Sequence, residues 1–297
     1  MVNTNWAFAQ YEQVRKRLPP APPGGTAKRV ADLGALVDDF DVILLDAYGV
    51  LNVGDTPVPG APGRVKALQR AGNRVMVLTN GASFPAVHAL AKYHRLGYDF
   101  TIDNVIASRD MLLAHLAGQA PLRFGAMAHK ASALDELGGD VHLLDDNRAG
   151  YDRAEGFLLI GTQEWSEARQ DMLVESLRQN PRPVLVGNPD LVAPYEHGFT
   201  LQPGLYGHRL ADETGIEPVF LGKPFAGMFA EAQRRIGHVP PARVLMVGDT
   251  LHTDILGAAA MGFKTLLATD HGMFKGVDVM EYIEKSGIWP DFIAPSI

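Results

Sequence analysis

The sequence predicts an α/β fold: a doubly wound, Rossmann-like parallel sheet with an inserted α/β cap domain. Three observations lead there. Short apolar, β-branched bursts stop at polar residues in Asp41–Asp46, Arg74–Thr79 and Arg243–Gly248, the last followed by Asp249. Strands this apolar are buried on both faces, as in parallel sheets covered by helices. Helical stretches alternate with them at Gly63–Ala71, Pro85–Leu96, Ser108–Leu116 and Phe225–Ile236, the order expected of βαβ units. Finally, residues 119–217 carry strand and helix candidates of their own.

In chain order, residues 1–36 read as an N-terminal arm. It has a helix candidate at Tyr11–Leu18 and a proline- and glycine-rich passage at Pro19–Gly25, suited to lying over the core or a partner subunit, or to remaining a mobile tail. Residues 37–118 form the first part of the core. In the cap, 119–217, strands are expected at Leu122–Gly125, Phe157–Ile160 and Pro183–Val186, and helices at Ala131–Leu137 and Ser166–Gln179. Residues 218–297 complete the core, with the small-residue helix Gly257–Ala260 and a strand at Thr265–Ala268. The sequence has no internal repeat.

A chain of 297 residues, 46% hydrophobic and 21% charged, can bury a core without cross-links. Cysteine is absent, which excludes disulfide scaffolds and thiol catalysis and suits a reducing compartment. The net charge is −7 with scattered basic residues; a nucleic-acid partner would call for a concentrated positive stripe. No segment approaches the ~20 apolar residues of a membrane helix. A cytoplasmic protein without nucleic-acid or membrane partners is expected.

In such sheets ligands gather beyond the carboxyl ends of the strands, so those ends hold the candidate site. Asp46 closes an apolar strand; a carboxylate there needs a cation or backbone donors, although an aspartate at a strand end is also an ordinary helix cap. Thr79, Asn80 and Gly81 offer a hydroxyl, an amide and an open backbone to an oxyanion, or simply make a turn. Lys223, between Gly222 and Pro224, could neutralise phosphate and carboxylate together, or be a solvated lysine. Asp249 and Asp254 are more specific. Two acids five residues apart at a strand-to-helix turn suit a hard cation such as Mg²⁺.

Taken in order, Asp46, Thr79, Lys223 and the Asp249/Asp254 pair resemble the stations of the haloacid dehalogenase-like superfamily. With Thr79-Asn80-Gly81, Gly187-Asn188-Pro189-Asp190 and Gly222-Lys223-Pro224, the chain is similar to its class IIA phosphatases from about residue 37 onward. The resemblance implies that Asp46 attacks phosphorus and forms an aspartyl-phosphate. It implies Mg²⁺ held by Asp46, the Tyr48 carbonyl and Asp249, with Asp254 in support, and Thr79 and Lys223 stabilising the phosphoryl oxygens. A small phosphorylated metabolite is the implied substrate, and a homodimer is compatible with the resemblance.

One position departs from that pattern. The family's phosphatases carry a second aspartate two residues after the nucleophile, and this chain has Tyr48. A phenol near pKa 10 is a poor base at neutral pH but can donate a hydrogen bond. General acid–base catalysis is worth ~10²–10⁴-fold, so slow turnover is expected. Asp46-Ala47-Tyr48-Gly49 also resembles the nucleophile motif of metal-free haloacid dehalogenases, but the retained Asp249 and Asp254 and the insertion after Thr79 count against that reading. A non-catalytic phosphate-ligand-binding or regulatory protein on the same fold is the other alternative. In the cap, Asn188 and Asp190 are candidates to touch substrate or to set a turn. Trp165 and Tyr195 are expected in core packing, with shaping of a substrate pocket in the cap as the alternative, His252 as a bystander rather than a base, and His271 and Asp270 near the active edge.

Overall fold

The computed structural model describes residues 2–297. Its larger sheet has seven strands, in the order Lys28–Arg29, Phe292–Ala294, Lys264–Ala268, Val244–Gly248, Val42–Leu45, Arg74–Thr79 and Val105–Ala107. Every neighbouring pair is parallel. From Val42–Leu45 the chain winds outward through Arg74–Thr79 and Val105–Ala107, then returns to the other side at Val244–Gly248. The reversal beside Val42–Leu45 opens a crevice at the carboxyl edge. Val42, Leu44, Met76 and Met246 pack with Met228, Phe229 and Ala232 of helix Ala226–Ile236. Ile43, Leu45, Val77 and Val247 face the opposite layer, with Val65 and Leu68 of helix Ala61–Arg70. Both faces are dry, which is why these strands read as unbroken apolar runs.

A second sheet has five strands, all parallel, in the order Val219–Phe220, Val184–Val186, Gly156–Leu159, Arg123–Met127 and Asp140–Leu143. Its edge strand Val219–Phe220 lies beyond the expected cap boundary at 217, because Leu185 and Val186 pair with it. Phe157, Leu159 and Val186 pack against Tyr151, Leu173 and Leu210 from three helices on one face. On the other face Ala126, Leu158 and Leu185 meet Ala82 and Leu112 of the larger domain. The hairpin Val192–Tyr195/Gly198–Leu201 extends to the first domain, where Glu196 accepts the Asp55 N–H at 3.0 Å.

Two sequence expectations need correction. The expected helix Ala131–Leu137 is a single tight turn, Leu134–Leu137. Ala133 sits at φ 47° and its carbonyl accepts from Arg109 Nη2 at 2.8 Å, a tertiary contact that overrides the segment's helix propensity. The arm's helix runs Thr4–Gln13 rather than Tyr11–Leu18. The Asn3 side chain caps it by accepting the Trp6 N–H, which sets the start far upstream. This helix lies on the core: Ala7, Phe8, Tyr11 and Val14 pack among Leu191, Leu251, Ile255, Met273 and Phe274. Among the described residues, no helix is long and apolar enough to cross a membrane.

Candidate active site

Asp46 is the first residue after the central strand, and its N–H donates to the Val247 carbonyl at 2.9 Å, fixing it beside the strand that leads to Asp249. Lys223 Nζ lies 2.6 Å from both Asp46 Oδ1 and Asp254 Oδ1. The lysine is 1% exposed. Burial alone would lower its pKa, but Asp254 and Asp46 outweigh that and raise it, so the ammonium persists because two carboxylates flank it. Thr250 N–H donates to Asp254 Oδ2 at 3.2 Å from the mouth of a wide helical turn, Leu251–Ile255.

Asp249 accepts from Thr250 Oγ1 at 2.9 Å and from the Met273 N–H at 2.8 Å. Burial, followed by repulsion from Asp254, nevertheless pushes its pKa up to about 7. Asp46 is raised by the same burial, against the pull of Lys223. The turn after Asp46 passes directly beneath Asp249. Gly49 has φ 81°, and a β-carbon there would stand 2.5 Å from Asp249 Oδ2, so this position requires glycine.

Carboxylate oxygens of Asp46, Asp249 and Asp254 all lie within 4.8 Å of one another. The single ammonium of Lys223 balances only part of that charge. Oxygen donors, an excess of buried acid and upward-shifted carboxyls fit a hard divalent cation, which prefers carboxylate oxygen.

Asn80 is committed elsewhere than the sequence suggested. Its Oδ1 accepts the Lys223 N–H at 2.7 Å and Ser108 Oγ at 3.1 Å. Its Nδ2 donates to the Lys223 carbonyl at 2.9 Å and Asp190 Oδ1 at 2.8 Å. The amide therefore clamps Lys223 and Asp190 from both ends and has no donor left for substrate. Thr79 Oγ1 accepts the Gly81 N–H at 3.2 Å, and the residue lines the cavity with its hydroxyl beside the Tyr93 phenol. Asn188 Oδ1 accepts the Asp190 N–H at 3.0 Å, and its Nδ2 donates to Gln202 Oε1 at 3.1 Å. Burial lifts the Asp190 carboxyl to about 6.

Asp46, Thr79, Asn188 and Asp190 open onto a cavity of about 700 Å³, walled also by Tyr48 at the larger sheet's edge, Thr162 from the smaller sheet's edge and Tyr195 from the hairpin. Tyr195 takes the pocket-shaping alternative rather than core packing: it is 39% exposed, lines the cavity and stacks on Tyr48 with ring centroids 5.8 Å apart. Lys92 Nζ donates to the Tyr48 hydroxyl at 3.2 Å, and burial raises the Tyr48 pKa. Tyr48 is thus a neutral phenol and no general base at neutral pH. Sequence reasoning missed Lys92. The signal was helical spacing: His88, Lys92 and Arg95 recur along one face of helix Ala86–Arg95 and all line the cavity.

Trp165 packs in the second domain and donates to Gln170. His271 and Asp270 do not line the cavity; their loop contributes the Met273 N–H instead. His252 is buried and bonds Glu12, pointing to the N-terminal helix and away from the acids' chemistry.

The chain matches known proteins over most of its length. A family model described as haloacid dehalogenase-like hydrolase matches residues 43–138, and a HAD-hydrolase-like model matches 220–297. A glycerol-3-phosphate phosphatase of Gallus gallus is 30% identical over 293 residues, covering 89% of this chain and 91% of the relative. A possible sugar phosphatase of the HAD superfamily from Cytophaga hutchinsonii superposes with a TM-score of 0.79 at 23% identity, over 91% of this chain and 98% of that one. A glycerol phosphate phosphatase from Mycobacterium tuberculosis, solved in complex with magnesium, gives 0.66 at 25% identity over 87% and 75%.

Proposed function

Because the chain belongs to the haloacid dehalogenase-like hydrolases, we propose that it is a magnesium-dependent phosphatase of small phosphate monoesters with Asp46 as nucleophile. The observation that carries this reading is the buried Asp46–Lys223–Asp254 contact beside Asp249 at the sheet's switch point. A lone carboxylate repels a phosphate dianion. The Lys223 ammonium, already 2.6 Å from Asp46, offsets that repulsion and orients the attacking oxygen. Mg²⁺ held by Asp46 and Asp249, with Asp254 contributing charge, would supply the remaining neutralisation of the phosphoryl group.

Asp46 then forms a bond to phosphorus as the bond to the leaving oxygen breaks, and the leaving oxygen takes up a proton from solvent water. Water cleaves the resulting aspartyl-phosphate, returning Asp46 and inorganic phosphate. Thr79, which lines the cavity, would turn its hydroxyl to a phosphoryl oxygen during both transfers. Asn80 serves by fixing Lys223. The cap side, through Asn188 and Asp190, would shape the volume left for the leaving group.

Tyr48 supports the expectation of slow turnover, since a phenol with a raised pKa does not activate water. The test is magnesium-dependent phosphate release from p-nitrophenyl phosphate, with acid-quench trapping of a phosphoenzyme. No release in magnesium, at any enzyme concentration, overturns the proposal. Tyr48→Asp is expected to raise the rate on a poor leaving group by at least about tenfold, since general acid–base catalysis returns; a fall would show that the tyrosine itself is needed.

A further inference from the structure

The N-terminal helix Thr4–Gln13 precedes both regions that match family models, yet it reaches both sides of the site. Its Tyr11 is 2% exposed. The Tyr11 hydroxyl accepts the Leu191 N–H at 3.1 Å, one residue after Asp190. The same ring stacks on His252 at 4.9 Å with only 10° between planes, and His252 lies inside the Asp249–Asp254 turn.

The next residue, Glu12, accepts from His252 Nε2 at 2.6 Å, because a carboxylate can only accept. At the start of the helix, Thr4 Oγ1 donates to the Met273 carbonyl at 2.9 Å, and the Met273 N–H in turn holds Asp249. One ten-residue helix therefore touches Leu191, directly behind the cavity-lining Asp190, and two separate supports of the acidic turn.

We propose that Tyr11 and Glu12 are positioning residues: they hold the Asp190 segment and the Asp249–Asp254 turn in one register, and thereby set magnesium affinity and turnover. The inference rests on the phosphatase reading for turnover, and on the carboxylate cluster alone for the metal. Burial, together with the charges of Asp190, Asp249 and Asp254, holds the Tyr11 phenol well above its ordinary range, so it stays a neutral hydrogen-bonding group throughout the working pH range. Supports behind reacting groups matter because misplacement of about 1 Å can cost ~10²-fold in rate, and outer partners of metal ligands carry 10–100-fold effects.

The experiment uses the full chain with Tyr11→Phe, Glu12→Ala and Glu12→Gln. Three quantities are read: amide exchange at Leu191, Mg²⁺ binding by calorimetry, and kcat and KM for p-nitrophenyl phosphate. In Tyr11→Phe the Leu191 amide should lose protection and kcat fall about tenfold, with KM within about twofold. Glu12→Ala should weaken Mg²⁺ binding about threefold or more, and Glu12→Gln, which keeps an oxygen acceptor for His252, should restore most of it.

A purely structural staple would lower the melting temperature and expose the Leu191 amide, but leave Mg²⁺ affinity and kcat alone. The proposal is overturned if Tyr11→Phe exposes the Leu191 amide while kcat and Mg²⁺ affinity stay within about twofold of wild type. It is equally overturned if Glu12→Ala leaves Mg²⁺ affinity unchanged. Should Tyr11→Phe not fold, the Glu12 pair decides, since that side chain is one-third exposed. A wild-type protein without phosphatase activity would remove the functional reading, while calorimetry and amide exchange still decide the role of the helix.

Discussion

The two parallel sheets are built by the same rule and carry different chemistry. In both, apolar strands alternate with helices and end in polar residues at one edge. The seven-stranded sheet ends in Asp46, Thr79 and Asp249, so its edge concentrates acid. The five-stranded sheet ends in Thr162, Asn188 and Asp190, and its last strand, Val219–Phe220, leads within three residues to Lys223. Both edges meet at the same cavity. The sheet architecture thus decides where chemistry sits, and the residue at each strand end decides what it is. The one buried ammonium among the acids arrives from the side that is otherwise mostly neutral.

The most severe way to break this contrast is at the acid edge. Asp46→Asn should lower phosphate release from p-nitrophenyl phosphate by more than about 10³-fold, because no attacking oxygen remains; full activity would move the nucleophile elsewhere. Lys223→Met comes next. It strands two carboxylates, and breaking a buried pair costs about 3–5 kcal/mol, read as a lower midpoint in urea together with a rate loss of about 10²-fold. Equal stability would mean that the lysine does not join the two edges.

The neutral edge should respond weakly. Asn188→Ala should raise KM about three- to tenfold with little change in kcat, the size of one hydrogen bond. An effect as large as that of Lys223→Met would erase the distinction between the edges.

The smallest expected effect is on pH. Asp249 titrates near 3.8 as a free side chain and at about 7 in the fold. An acid whose pKa is raised by folding contributes most below the lower value, and that contribution is lost as pH rises through the upper one. Without Mg²⁺, the melting temperature should therefore drift down between about pH 4 and about pH 7, and Mg²⁺ should flatten the slope. A flat profile in chelator would show that Asp249 carries no excess charge.

Much of this was legible from local pattern. Strands buried on both faces announce themselves as apolar runs, and the acids beyond their ends, Asp46, Asp249 and Asp254, could be named because they follow those runs at turns in an order that resembles the family's stations. What the sequence concealed depends on contacts between distant residues. Asn80 reads as a phosphate donor until its partners, Asp190 and Lys223, are seen more than a hundred positions away. Tyr195 has nothing nearby in sequence to forecast its stacking on Tyr48. The segment 131–137 has the composition of a helix and is stopped by a guanidinium from Arg109. The start of the arm's helix was written locally, in Asn3, but the expected apolar stretch lay later.

Only Leu221 and Gly222 separate the edge strand Val219–Phe220 from Lys223. This short tether has a practical meaning for protein engineering. A chimera that exchanges the inserted unit between relatives cannot be joined at residue 217, since that seam would split the sheet and leave its edge strand unmatched. The exchange must run past Phe220, and then the lysine travels with the donor or must be re-registered by a two-residue spacer. Libraries that vary the cap's length should treat Val219–Lys223 as one indivisible cassette.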